Sequence, residues 1–241
     1  MSAQGAGGGR EQEPNAQGLG SPLIVALDTD DPRWLAELAA AVAPHAGLLK
    51  VGLQAFTALG PAAVTAAGQH AEVFFDCKLH DIPNTVAAAA GAAARMGIAM
   101  LTVHASGGPA MIAAACKAAP DITILAVTVL TSLDDVDLAV VGQPPVAQQV
   151  VRLAGMAAEA GAGGVVCAAS DVAAVRTEIG DGLAVVVPGI RPHGSTSDDQ
   201  RRIVDPRTAL RTGASHLVVG RPITQARDPA AAAAALLVEI A

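Results

Sequence analysis

The feature that most constrains the fold is an alternation of short, β-branched apolar runs with Ala-rich segments of helical length. The alternation predicts a parallel sheet covered by helices. Eight such units in one domain favour a (β/α)8 TIM barrel of the α/β class, and a doubly wound open sheet is the alternative. The predicted strands are Leu23–Leu27, Leu48–Val51, Val73–Phe75, Ile98–Val103, Ile122–Val129, Gly164–Cys167, Leu183–Val187 and His216–Val219.

The segments between these runs have helical length, and proline stands at or near several of their starts, where its fixed φ suits a first helical turn. The 241 residues are enough for one large domain, which we place at 21–241. Residues 1–20 are rich in Gly and Gln and are predicted to form a flexible tail. The predicted helices are Pro32–Val42, Pro61–Gly68, Thr85–Met96, Pro109–Ala118, Val146–Ala160, Asp171–Ile179, Pro206–Thr212 and Pro229–Ile240.

Composition excludes several classes of function. A formal net charge of -7 argues against a protein that binds the nucleic-acid backbone, and 2% aromatic residues leave few platforms for stacking bases. No apolar run reaches the ~18 residues that a membrane span needs. The three cysteines form no C-x-x-C pair, which favours reduced thiols in a cytoplasmic protein.

Polar residues stand where the predicted strands end. In a barrel this rim holds the active site, whereas a doubly wound sheet concentrates such groups near one switch point. Their spread over most strands therefore favours the barrel. The polar residues and the glycine at these ends are Asp28, Lys50, Asp76, Lys78, His104, Thr131, Ser132, Arg191, Gly220 and Arg221.

The segment Asp76–Thr85, DCKLHDIPNT, carries the densest chemistry. In an extended chain Asp76 and Lys78 point the same way, while Asp81 lies on the loop beyond the strand. Lys50 on the neighbouring strand adds a second ammonium to these two carboxylates. Burying such charges costs stability even when they are paired, so the arrangement points to function. A salt-bridged barrel mouth without chemistry is the alternative.

The chain resembles the orotidine 5'-phosphate decarboxylase family, bacterial type, from about Leu23 to Pro229. The D-x-K-x-x-D-I-P-N-T run is the most specific part of the resemblance. Leu53-Gln54 is a departure, because some bacterial relatives look more polar there. The landmarks in order are IVALD (24–28), LKVG (49–52), FFDCKLHDIPNT (74–85), VHASGG (103–108), AVTVLTS (126–132), PGIRP (188–192), DQRR (199–202) and VVGRPIT (218–224).

This resemblance implies decarboxylation of orotidine 5'-phosphate to UMP and CO₂ without metal or cofactor. Lys78 would be the acid that protonates C6, beside Asp76, with Lys50 and Asp81 completing the charge array. Asp28 and Lys50 would reach the ribose. Asp81 and Thr85 would come from the partner subunit of a homodimer.

The phosphate site can be argued from the barrel itself. Barrels commonly bind phosphate with the loops after strands seven and eight and a short extra helix. Gly220, Arg221 and Arg191 stand there, and Pro222-Ile223-Thr224 could start that helix. For both arginines a solvated surface position is the alternative. Gln200 would contact the phosphate or base as its loop closes, and Ser132, with the backbone near Thr131, would contact the pyrimidine.

Two other functions remain open at this point. One is a Mg²⁺-dependent decarboxylase or aldolase for sugar phosphates on the same barrel, which an ammonium at Lys50 disfavours because it would repel the metal. The other is a non-catalytic sensor of phosphate ligands, in which the charge array would have no purpose. His80 and His104 are interpreted as hydrogen-bonded structural histidines.

Overall fold

The protein is a closed barrel of eight parallel strands in consecutive order. The computed structural model describes residues 20–190 and 205–241. Pairing of the first strand with the last closes the sheet, which confirms the barrel and rules out the open alternative. The strands are β1 (Leu23–Ala26), β2 (Leu48–Gly52), β3 (Val73–Leu79), β4 (Met100–His104), β5 (Thr123–Val127), β6 (Gly164–Val166), β7 (Ala184–Pro188) and β8 (His216–Val219).

Helices follow the strands around the barrel. All eight predicted helices are present, with ends that move by at most two residues, and a short helix follows β8 as expected. Two short helices, α2 and α6, were not predicted. In the described residues the helices are α1 (Pro32–Val42), α2 (Leu53–Leu59), α3 (Pro61–Gly68), α4 (Pro83–Ala94), α5 (Pro109–Ala118), α6 (Asp135–Val140), α7 (Val146–Glu159), α8 (Val172–Ile179), α9 (Pro206–Arg211), α10 (Arg221–Thr224) and α11 (Pro229–Ile240).

The apolar core has two layers, because side chains alternate between the two faces of each strand. The larger layer lies between the sheet and the helices. The smaller one fills the barrel interior and includes Ile24, Leu48, Phe74 and Val218. The same alternation carries upward from these residues and puts Asp28, Lys50 and Asp76 on the inner side, at the carboxyl ends of their strands.

Strand β3 departs from the regular pattern. The sequence analysis ended it at Phe75, but its backbone runs to Leu79. Phe75 pairs with Leu101 of β4 and Leu79 pairs with Val103, so three residues of β3 lie opposite the single residue Thr102. Such a bulge re-aims side chains near a site. The prediction of a plainly extended Asp76-Cys77-Lys78 was therefore wrong in its backbone detail.

Lys78 carries the strain of this bulge. Its φ is +50°, the one positive value at a non-glycine residue in the described part of the chain. A side chain in this left-handed region costs energy and persists only where surrounding contacts hold it. Strand β3 is also held from outside, since the rings of Phe75 and Phe56 of α2 are 4.6 Å apart.

Candidate active site

A cavity of about 330 Å³ opens at the carboxyl ends of the strands. This volume is within the range of small-molecule sites. Its walls combine charged residues at the ends of the first three strands with mainly apolar residues from the later ones, where Arg221 after β8 adds a further charge. The predicted site residues that line it are Asp28, Lys50, Asp76, Lys78, Thr131, Gly220 and Arg221.

Four of these residues form one chain of alternating charges. Lys50 Nζ lies 3.0 Å from Asp28 Oδ1 and 3.6 Å from Asp76 Oδ2. Lys78 Nζ lies 2.8 Å from Asp76 Oδ1. Exposure of the side chains rises from 9% at Lys50 to 48% at Asp28. The Lys50 ammonium therefore lies between two carboxylates, whereas the Lys78 ammonium is bound by Asp76.

Asp76 is at the centre of this chain. Burial alone would raise its pKa, but the Lys50 and Lys78 ammonium groups and hydrogen bonds from Lys78 and Thr102 together hold the pKa below its usual value. A carboxyl group that is ionised at neutral pH keeps both lysines in place. The cost of burying this carboxylate is offset by its ion pairs with Lys50 and Lys78 and by its hydrogen bond from Thr102.

Gly52 leaves the space that the ion pair occupies. A Cβ atom at this position would lie 2.7 Å from Lys50 Nζ and 3.0 Å from Asp28 Oδ1. The backbone here is extended, with φ of -97°, so the requirement for glycine comes from space and not from conformation. The LKVG landmark contains this glycine, but the sequence analysis gave it no role.

Thr102 is a residue that contacts the charged site and that the sequence analysis missed. Its side chain is fully buried inside the barrel, opposite the β3 bulge. The Lys78 backbone N–H donates to Thr102 Oγ1 at 2.9 Å, and Thr102 Oγ1 donates to Asp76 Oδ1 at 3.0 Å. Its even spacing from Met100, an interior residue, was the sequence signal that could have revealed it.

The far side of the cavity is built from later strands. Gly220 and Arg221 follow β8 directly, and the short helix expected at Pro222 is present as α10, which begins one residue earlier at Arg221. Thr131 lines the cavity, whereas Ser132 is exposed and outside its lining. Arg191 and Gln200 lie outside the described residues, so their predicted roles stay predictions.

Asp81 and Thr85 do not line the cavity of their own chain. Both are exposed, on the loop before α4 and in its first turn. Asp81 Oδ1 accepts a hydrogen bond from the backbone N–H of Ile82 at 2.7 Å. Among the described residues, Asp81 forms no ion pair with Lys78 or Lys50 of its own subunit.

Three other titratable residues near Lys78, His80, His104 and Cys77, lie outside the chain of ion pairs. The His80 and His104 ring centroids lie 5.4 Å apart with the rings tilted by 43°. Burial, followed by the charges of His80 and Lys78, lowers the pKa of His104. Burial and the Asp76 carboxylate raise the pKa of Cys77 to about 12. Cys77 therefore stays a thiol, and it packs against the outer layer of the core.

Comparison with known proteins agrees with this geometry. Residues 21–236 match the sequence profile of the family described as "Orotidine 5'-phosphate decarboxylase / HUMPS family". The chain belongs to this family. It is 57% identical to the orotidine 5'-phosphate decarboxylase of Anaeromyxobacter sp. (strain K) over 89% of this chain and 96% of that protein. The corresponding protein of Thermobifida fusca is 49% identical over 92% and 97% of the two chains.

A solved structure extends the likeness to the fold. The crystal structure of orotidine 5'-phosphate decarboxylase from Lactobacillus acidophilus superposes with a TM-score of 0.80 at 38% identity. The match covers 92% of this chain and 99% of that one. The family and the single-domain barrel are therefore both established.

Two kinds of feature are absent from the described residues. In residues 20–190 and 205–241 no three His, Cys, Asp or Glu side chains are grouped as metal ligands would be. Over the same ranges no helix has the length and apolarity to cross a membrane. All three cysteines are free thiols.

Proposed function

We propose that the protein decarboxylates orotidine 5'-phosphate to UMP and CO₂, the final step of de novo UMP synthesis. The observation that carries this function is the contact of the Lys78 ammonium with a buried Asp76 carboxylate at the barrel mouth. Membership of the family and relatives of that name covering nearly the whole chain support the same reaction.

The chemistry requires a fixed cation at the reacting carbon. When the bond from C6 to the carboxylate carbon breaks, its electron pair remains on C6 and CO₂ departs. The pyrimidine offers no adjacent electron sink for this carbanion. Lys78 stabilises the charge as it forms and then donates its proton to C6, giving UMP and a neutral amine that solvent reprotonates.

The other charged residues prepare Lys78 for this step. Asp76 holds the Lys78 ammonium by a 2.8 Å hydrogen bond and faces the substrate carboxylate. Lys50 balances Asp76 and, with Asp28, reaches the ribose hydroxyls. Preorganised charges of this kind stabilise a transition state because they need no rearrangement when charge develops.

The opposite side of the cavity binds the rest of the nucleotide. Arg221 and the backbone of Gly220 bind the phosphate, since a guanidinium fork matches phosphate oxygens and Gly220 lets the chain approach closely. Arg191 and Gln200 contribute from the loop after β7. Ser132, with the backbone near Thr131, contacts the amide edge of the pyrimidine.

The active unit is a homodimer with shared sites. Asp81 and Thr85 lie outside the cavity of their own chain, and Pro83 stiffens the segment that carries Asp81 outward. A two-fold interface would place each such segment at the mouth of the other subunit. Asp81 then completes the charge array from the partner side. The free thiols fit a cytoplasmic location.

Subunit exchange tests the shared site. Lys78→Ala and Asp81→Ala proteins are mixed in equal amounts under conditions that let dimers re-form. Half of the dimers become hybrids, and each hybrid holds one intact site, so activity returns to roughly a quarter of wild type. If exchange is demonstrated and activity stays at the level of the separate variants, Asp81 serves its own subunit.

The reaction itself is tested by the loss of orotidine 5'-phosphate absorbance on mixing with pure protein. We expect equal rates with and without EDTA, and no rate for Lys78→Ala. Activity that EDTA removes would favour the metal-dependent sugar-phosphate enzyme. Absence of turnover in both conditions, with UMP still bound, would favour the sensor. The Lys50 ammonium between Asp28 and Asp76 argues against a bound cation there.

A further inference from the structure

Thr102 is a fully buried polar residue that the proposed reaction does not yet use. Its neighbours on the inner face of β4 and β5 are apolar, among them Met100, Leu125 and Val127. A hydroxyl in such a place is costly unless its hydrogen bonds are satisfied. Both of its bonds go to residues that carry the site, Asp76 and Lys78.

The bonds form a closed ring through one hydroxyl. The Lys78 backbone N–H donates to Thr102 Oγ1, which donates to Asp76 Oδ1, which in turn accepts from Lys78 Nζ. The hydroxyl acts as acceptor and donor at once, a capacity that valine and alanine lack. The ring spans the three β3 residues that lie opposite Thr102 in the bulge.

We propose that Thr102 is a positioning residue that holds the Lys78 ammonium toward the reacting carbon. Its hydroxyl does so by hydrogen bonding to both the Lys78 backbone and the Asp76 carboxylate. The inference rests on the proposed decarboxylation. Lys78 sits at φ of +50°, which the chain leaves unless contacts hold it. The Thr102 hydroxyl binds the N–H of this same residue, so it acts on the lysine through its backbone.

The charge balance around Asp76 supports this role. Asp76 faces Lys50 from β2, Lys78 from its own strand, and Thr102 and His104 from β4, with Asp28 beyond Lys50. Burial raises the pKa of Asp76, and the hydrogen bond from Thr102 is among the contacts that bring it below its usual value. Removing the hydroxyl should therefore raise the pKa of Asp76.

The experiment compares Thr102→Val and Thr102→Ser with Thr128→Val. Thr128 is also buried in the barrel wall, but its hydroxyl donates to the backbone oxygen of Val166 and touches none of the charged residues. For Thr102→Val we expect kcat to fall about 10- to 100-fold with KM within threefold, as for small displacements of a reacting group. Its acid limb of kcat against pH should move to higher pH.

The two other variants separate hydroxyl loss from a change in packing. Thr102→Ser should recover kcat to within about threefold of wild type, and Thr128→Val should leave kcat and its pH profile unchanged. Should Thr102→Val fail to fold, Thr102→Ala against Thr102→Ser isolates the same hydroxyl. A tenfold or larger advantage in kcat for Ser over Ala is then the expected result.

Several results would overturn the proposal. Wild-type turnover by Thr102→Val, or equal losses in Thr102→Val and Thr128→Val, would exclude a positioning role while leaving the reaction intact. If the wild-type protein did not decarboxylate orotidine 5'-phosphate, the proposed function would fail separately. The ring would still be tested by NMR titration of the Asp76 carboxyl carbon, and an unchanged pKa in Thr102→Val would refute it.

Discussion

The two ends of the barrel interior treat buried polar groups in opposite ways. At the mouth, four charged side chains form a series of ion pairs no longer than 3.6 Å, and both lysine side chains are more than two-thirds buried. At the floor, His216 begins β8 and is 1% exposed, and its Nδ1 has no hydrogen-bond partner among the described residues. Burial lowers its pKa, so it stays neutral.

This difference indicates that, within one barrel interior, the polar residues at the mouth serve function and the residues at the floor serve stability. Burying charged groups at the mouth costs folding free energy, and the proposed function gives a reason to retain them, because there they would contact the substrate. His216 at the floor does not line the cavity, and it is packed as a neutral ring. Substitutions at the mouth should therefore change turnover or binding, whereas those at the floor should change only stability and its dependence on pH.

The largest expected effect is that of Lys78→Ala. Loss of one electrostatic donor commonly costs ~10²–10³ in rate, and this change also removes the proton source, so kcat should fall further. UMP binding and the melting temperature should change little, since packing does not depend on the ammonium. Lys117→Ala, on the exposed face of α5, is the control. A variant that kept a tenth of the wild-type rate would contradict the role of Lys78.

Arg221→Ala should affect binding at the same end of the barrel. A hydrogen bond to a charged group is worth about 1.5–3 kcal/mol, so affinity for UMP should fall roughly 10- to 100-fold by calorimetry. A truncated substrate without phosphate should respond little. Arg211→Ala removes an exposed arginine of α9 as the matched change. Equal damage with both substrates would mean that Arg221 acts elsewhere.

Gly52→Ala sharpens the comparison without removing any charge. The new Cβ would lie 2.7 Å from Lys50 Nζ and push the ammonium away from Asp28, and we expect kcat to fall about tenfold. Gly91→Ala in α4 is the matched control, since its Cβ would meet only ordinary contacts, the nearest being the backbone oxygen of Ala118 on α5 at 3.5 Å. This control should gain about 0.5–1 kcal/mol in stability with unchanged kcat.

His216→Leu is the smallest effect and tests the floor. The folded pKa of His216 lies below 6.5, so the unfolded chain binds a proton at higher pH than the folded one. Wild-type stability is then full above about pH 6.5 and declines as the pH falls below it. The variant should lose this contribution to the slope of melting temperature against pH, with kcat unchanged. His70→Gln, at an exposed histidine, is the control. If His216→Leu left the slope of melting temperature against pH unchanged, or if His70→Gln altered it equally, the role of His216 would be refuted.

The fold could be predicted well from the sequence because the spacing of apolar residues identifies both the buried strands and the buried faces of the helices. It missed α2 and α6, which are too short for a periodic signal. Helix α6 does carry a local signal, since Asp134 and Asp137 form a capping box around its first turn. Helix α2 follows β2 without an intervening turn, and no stop signal separates them.

The clustering of Asp28, Lys50 and Asp76 was predictable from alternation, since each continues the inward phase of its strand. The bulge was not predictable, because the register shift between Phe75 and Leu79 is a property of the pairing with β4, which the apolar pattern of β3 does not report. Thr102 was hidden within an apolar run. Residue roles that depend on substrate or on a partner, such as those of Arg221 and Asp81, require the experiments above.

The bulge in β3 also bears on how this site could have arisen in a barrel. Below Phe75 the pairing with β4 is regular, and beyond it the register is offset by the two additional residues before Leu79. An even offset leaves Leu79 on the outer face, where it still packs under the helices, whereas a single inserted residue would reverse every later side chain. A two-residue insertion therefore leaves the pairs up to Phe75 in register and keeps Leu79 on its original face. The segment that carries Lys78 can in this way be lengthened at the mouth without changing the strand pairing that closes the barrel.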